Sequence, residues 1–130
     1  MPSELQSIVF GSNFNQLIDK YVLPDKLQSI AFGSNFDQPI EKNVLSNELK
    51  EISFGSKFNQ SIEIDVLPSK LQLIRFGCYF YQFIDKGVLP EELQLIYFAG
   101  NYKHSTNYEH SMKNIPDKAK IHFYGWKGAV

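Results

Sequence analysis

Leu67-Pro68-Ser69-Lys70-Leu71-Gln72-Leu73-Ile74-Arg75-Phe76-Gly77 decides the fold, because its apolar skeleton recurs at a fixed step of 22 residues. Phe10, Phe32, Phe54, Phe76 and Phe98 stand 22 apart, and so do Leu5, Leu27, Leu49, Leu71 and Leu93. Ile8, Ile30, Ile52, Ile74 and Ile96 form a third column. Phe14, Phe36, Phe58 and Phe80 keep the same step, and Tyr102 continues it. Further columns are Gln16 to Gln82, Ile18 to Ile84, Val22 to Val88 and Leu23 to Leu89. Self-similarity at such a period predicts a solenoid. One unit alone cannot fold, because seven apolar side chains do not offset the ordering of a whole repeat. Neighbouring units must bury each other's faces, which makes stability collective.

The step also selects the solenoid. Helical ankyrin and tetratricopeptide repeats need about 33 to 34 residues, whereas leucine-rich repeats use about 20 to 29. Leu5-x-x-Ile8-x-Phe10-x-x-Asn13 fits the leucine-rich pattern. Leu5–Phe10 reads as a strand with Ile8 and Phe10 pointing in, Ser7 and Val9 out. Gly11, Gly33, Gly55 and Gly77 end that strand, through positive φ or through close approach between coils. The fold class expected is a mostly β repeat solenoid, a leucine-rich-repeat-like stack of short parallel strands with a turn-rich convex side.

Three further columns bear on stacking. Tyr21, Asn43, Asp65 and Gly87 precede the Leu column of the turn, and all but Tyr21 are types that tolerate left-handed backbone. The Gln column has apolar flanks, so it is expected at the edge of the interior, bonded to loop backbone as a structural ladder. Glu4, Lys26, Glu48, Lys70 and Glu92 alternate in sign, so coils about 4.8 Å apart set each charge beside its opposite.

These residues resemble the FNIP repeat, a 22-residue relative of the leucine-rich repeat with the pattern L-P-x-x-L-x-x-L-x-F-G-x-x-F-N-Q-x-I. Phe14-Asn15-Gln16 and Phe58-Asn59-Gln60 match its core, and Phe36-Asp37-Gln38-Pro39-Ile40 matches with one change. Ser46-Asn47 and Tyr81 depart from it. Such repeats occur in social amoebae and in giant viruses of amoebae. The resemblance implies an interaction scaffold without enzymatic activity. Relatives often carry an F-box, but repeat-like sequence begins here at residue 2, so no ubiquitin-ligase recruitment is expected. An uncovered first coil implies either shielding by Met1 and the turn residues or end-to-end packing of two molecules.

The organisation expected is repeats over residues 1–104 (2–23, 24–45, 46–67, 68–89 and a degenerate 90–104), then a C-terminal cap over 105–130. Pro116 arrives 26 residues after Pro90, four later than the period demands. Lys120–Gly125 reads as a last strand, with Ile121 and Phe123 on one face and His122 and Tyr124 on the other, and Trp126 is expected to cover the end.

Little in the chain suggests chemistry. A net charge of −1 gives no pull toward nucleic acid or anionic membrane, and no apolar run is long enough to span a bilayer. The single cysteine, Cys78, excludes an internal disulfide framework. A reducing compartment follows, hence a cytoplasmic location (the host cytoplasm if the protein is viral), and the N-terminus does not read as a signal peptide. Asn59-Gln60-Ser61 is then a chance sequon. His104, His110 and His122 invite a metal site, but no acidic ligand sits at tight spacing, and polarity of the cap explains them better. Asp19, Glu41, Glu63 and Asp85 read as a solvated edge neutralised by Lys20, Lys42 and Lys86 rather than a calcium ladder. No phosphate-cradling glycine motif or serine triad is present, so neither cofactor nor catalysis is expected.

Function is expected where the columns stop repeating. The outward strand columns read Ser7, Ser29, Glu51, Leu73, Leu95 and Val9, Ala31, Ser53, Arg75, Tyr97. Small residues give way to Leu73, Arg75, Leu95 and Tyr97, the composition of an interface centre for a protein partner. The competing expectation is coverage of these residues by the cap. A self-associating solenoid stacked through its coil ends is the alternative function. An enzyme on a parallel β-helix is disfavoured, because Glu51 and Arg75 alone do not make a site.

Overall fold

The structure is a computed structural model and describes residues 4–125. Six strands form one sheet in sequence order, all neighbours parallel: β1 (Ser7–Val9), β2 (Ser29–Ala31), β3 (Glu51–Ser53), β4 (Leu73–Arg75), β5 (Leu95–Ala99) and β6 (Lys120–Tyr124). Each of the first four pairings is offset by one repeat, as in Ile8 beside Ile30 and Ile74 beside Ile96. The fold class is the one expected, a mostly β solenoid of leucine-rich-repeat type. The strands are shorter than the sequence suggests: only Ser7–Val9 of Leu5–Phe10 is paired as a strand. The flanking residues still bond between coils, as where the Gln28 and Ser29 N–H groups both donate to Gln6 O.

Aromatic stacking explains why the repeat is written in Phe. Rings of the first column stack at 5.3 to 5.7 Å from Phe10 through Phe98. The second column, from Phe14 to Tyr102, stacks at 5.9 to 6.2 Å. Within each coil the two columns touch, at 3.8 Å for Phe54 and Phe58. The spacing widens with distance from the sheet, where strands lie about 4.8 Å apart. That wedge curves the solenoid and puts the sheet on its concave side.

Three columns resolve questions the sequence leaves open. Gly33, Gly55 and Gly77 do not take positive φ; a Cβ on any of them would collide with the carbonyl of the glycine one coil earlier. The turn column is left-handed throughout, and here the structure corrects the expectation for Tyr21: its φ of 65° matches 69° at Asn43, 71° at Asp65 and 85° at Gly87. Asn43 O accepts the Tyr21 N–H at 3.4 Å, and the geometry of the stacked turns overrides the residue's preference. At Ser46, which replaces the turn proline, the hydroxyl donates to Leu27 O while its carbonyl still closes the turn on the Leu49 N–H.

The Gln ladder runs between coils. Gln38 Nε2 donates to Asn15, Gln60 to Asp37 and Gln82 to Asn59, at 2.9 to 3.1 Å to the side-chain oxygen and 3.2 to 3.4 Å to the backbone carbonyl. The same Asn or Asp oxygen also accepts the backbone N–H of its counterpart one coil on, at 2.8 to 2.9 Å. One side chain thus satisfies two donors of the next turn, the physical content of the Asn-Gln pair in the motif. On the opposite edge, Lys26 pairs with Glu4 at 3.3 Å, and Lys70 with Glu48 at 2.9 Å. Lys70 holds the Glu48 carboxyl below the usual carboxylate range. Glu92 pairs with Lys118 rather than with Lys70.

After β5 the pattern changes. A 3-10 helix covers Gly100–His104, and a short helix α1 covers Tyr108–Met112, a segment for which the sequence suggested only a polar cap. Ser111 is fully buried: its hydroxyl oxygen accepts the Ile84 N–H at 2.9 Å and lies 2.7 Å from the Tyr102 hydroxyl, which donates to Gln82 O. Strand β6 then rejoins the sheet with Ile96 beside Ile121 and Phe98 beside Phe123. The expected four-residue insertion holds at the turn, where Ala119 N–H donates to Pro116 O as Leu93 N–H does to Pro90 O. One residue fewer then separates the turn from the strand, so the strand offset is 25. The expectations for Trp126 as a lid and for Met1 as a shield lie outside the described residues.

Candidate interaction surface

The register of β4 and β5 brings the four expected residues together on the outward face, Leu73 beside Leu95 and Arg75 beside Tyr97. All four are half-buried. They pack sideways on one another, while Ile74 and Ile96 between them are fully buried in the core.

The cap adds to this face. The Arg75 guanidinium carbon lies 4.4 Å from the Tyr97 ring centroid and 5.2 Å from that of Tyr124. His122 stacks on Tyr97 at 5.2 Å. The Tyr124 hydroxyl donates to Phe76 O, two strands away. Burial raises the Tyr124 hydroxyl above its ordinary pKa, and Arg75 opposes that shift. A row Arg75–Tyr97–His122 results, with Tyr124 leaning on its cation. The sequence reading put His122 and Tyr124 on one face but did not join them to Arg75, because strand offset 25 is not visible in a period of 22.

A second surface escaped that reading. Tyr79, Tyr81 and Phe83 are exposed, at 56%, 40% and 53%. Their columns otherwise hold Asn13, Asn35 and Lys57; Asn15, Asp37 and Asn59; and Leu17, Pro39 and Ser61. Three aromatic departures in one coil were the available signal. They flank the cap: Asn101 Nδ2 donates to the Tyr81 hydroxyl at 2.8 Å, and His110 packs edge-on against Phe83.

Chemistry-bearing groups stay dispersed. His110 Nε2 pairs with Asp85 Oδ1 at 2.7 Å, His122 stacks on Tyr97, and Cys78 is exposed. Among the described residues no group of three His, Cys, Asp or Glu comes together as a metal site. No described helix is long and apolar enough to cross a membrane.

Comparison with known proteins agrees with this architecture. A solved crystal structure described as that of CroV588, a novel circular LRR protein of a giant virus, is 38% identical and superposes with a TM-score of 0.85 over 95% of this chain. The chain spans only 18% of that protein's length. No curated protein matches it. The family model described as FNIP Repeat matches residues 1–35 and 36–79. Those two segments cover more than half of the sequence and contain the Gly column with most of the Phe and Gln columns, and the chain therefore belongs to the FNIP repeat family.

Proposed function

We propose that this chain is a non-enzymatic protein-interaction module that binds a protein partner through the concave face of β4, β5 and β6. The observation that carries the reading is the Arg75–Tyr97 stack next to the paired Leu73 and Leu95, on a sheet whose first three strands present mainly small or polar residues. A guanidinium held against two rings still has N–H donors for a carboxylate or carbonyl, and the neighbouring leucines offer apolar area. The rigid sheet keeps the ordering cost of binding low. A single exposed cysteine fits work in the reducing cytoplasm.

The test replaces Leu73, Arg75 and Tyr97 with Ser together. The variant should keep a cooperative melt, lowered by no more than about 10 °C, because these side chains are half-buried. Partner capture from cytosol should be lost. A triple variant that no longer melts cooperatively would assign these residues to the core, and capture equal to the parent would remove the face from binding.

A further inference from the structure

Strand β1 ends the sheet on one side and β6 on the other. In coil 2 the Ser29 N–H donates to Gln6 O, and Ala31 O accepts the Phe10 N–H. The matching groups of coil 1, Ser7 N–H and Val9 C=O, face a side on which no described residue lies. The side chains behind them repeat the same incompleteness. Val22 is 52% exposed where Val44, Val66 and Val88 are buried. Phe10, Phe14 and Ile18 are only partly buried and line an open hollow of 230 Å³. At the other end, Ile121 of β6 is 36% exposed.

The charge column distinguishes the two ends. Across the six coils it reads Glu4, Lys26, Glu48, Lys70, Glu92 and Lys118, with ion pairs Lys26–Glu4, Lys70–Glu48 and Lys118–Glu92. One end therefore carries a carboxylate and the other an ammonium at the same edge of the solenoid.

We propose that the solenoid stacks head to tail on a second copy of itself, β1 of one molecule pairing in parallel with β6 of the next. The contact continues the coil-to-coil interface that the chain already forms at five strand pairings. It sets Glu4 of one molecule beside Lys118 of the other and covers Phe10, Phe14 and Val22. Head-to-head pairing would turn β1 antiparallel to its copy and leave Lys118 out of the contact. A head-to-tail contact is heterologous, so it grows into a filament or closes into a ring. It uses the coil ends and leaves the concave face free, so it stands apart from the function proposed above.

Light scattering from micromolar to millimolar concentration tests it, with circular dichroism to confirm folding. The parent should grow from 15.0 kDa to multiples of that mass. Ser7→Pro removes an edge N–H that no described residue accepts, and Ile121→Lys places a charge on the β6 side. Each variant alone should stay at the monomer mass. An equal mixture of the two should form pairs of twice that mass and nothing larger, because each supplies the face the other lacks. A parent that remains monomeric throughout overturns the proposal. So does an Ile121→Lys chain that associates as the parent does, which is the head-to-head result, or a mixture that stays monomeric.

Discussion

At the scale of single residues, position within a column outweighs residue type. Tyr21 sits at φ 65° with its ring 81% exposed, so the side chain gains little from packing there. A left-handed non-glycine residue costs about 1–2 kcal/mol, and Asn relieves much of that. Tyr21→Asn should therefore stabilise the protein by about 1 kcal/mol in a denaturant titration; a loss of stability would contradict the account. The sequence showed the turn at this column but marked Tyr21 as a misfit, because propensity was read for one residue while neighbouring coils impose the turn. Gly55 and Gly11 make a second test. Gly55→Ala drives a Cβ into the Gly33 carbonyl and should cost about 3 kcal/mol, whereas a Cβ on Gly11 meets nothing and should be nearly neutral. Burial raises the Tyr102 and Tyr124 hydroxyls, so the fold favours their protonated forms. That contribution is whole below about pH 10 and is lost as pH rises through the raised values. Stability should fall above about pH 10, and Tyr102→Phe should shallow the fall; an unchanged alkaline limb would show that Tyr102 does not contribute to it.

At the scale of the element, the unit is the contact between two coils. Asn59 Oδ1 accepts both the Tyr81 N–H and Gln82 Nε2, so Asn59→Ala leaves the Tyr81 N–H unmatched and Gln82 Nε2 with the Asn59 carbonyl alone, and should cost about 1–3 kcal/mol. Asp37 holds the same place with the same two bonds, and Asp37→Asn should change stability by less than about 0.5 kcal/mol. Equal losses at the two sites would show that the ladder depends on charge rather than on the accepting oxygen. The ladder also marks where periodicity ends. Tyr81 has no amide oxygen to pass on, and coil 5 leaves the pattern: Ala99 replaces the glycine, Tyr102 replaces Phe, and the chain turns into helices anchored by Ser111. The strands were legible because their columns repeat five times. Helix α1 was not, because five residues are too few to show a helical period.

At the scale of the molecule, two features follow from stacking: curvature, from Phe spacing that widens away from the sheet, and unequal protection of the coils. Four residues of the concave face were legible as departures from their columns. Their partners His122 and Tyr124 were not, since the last strand enters with an offset that no earlier coil shares. Nearest-neighbour burial is the central claim, and native-state hydrogen exchange tests it most directly. At a dilution where the protein is monomeric, the amides of Ile52 and Ile74, with coils on both sides, should exchange most slowly. Protection should decline through β2 to β1, where among the described residues Ile8 has a neighbouring strand on one side only. Equal protection across all six strands, or a maximum at β1, would contradict a fold held together coil by coil.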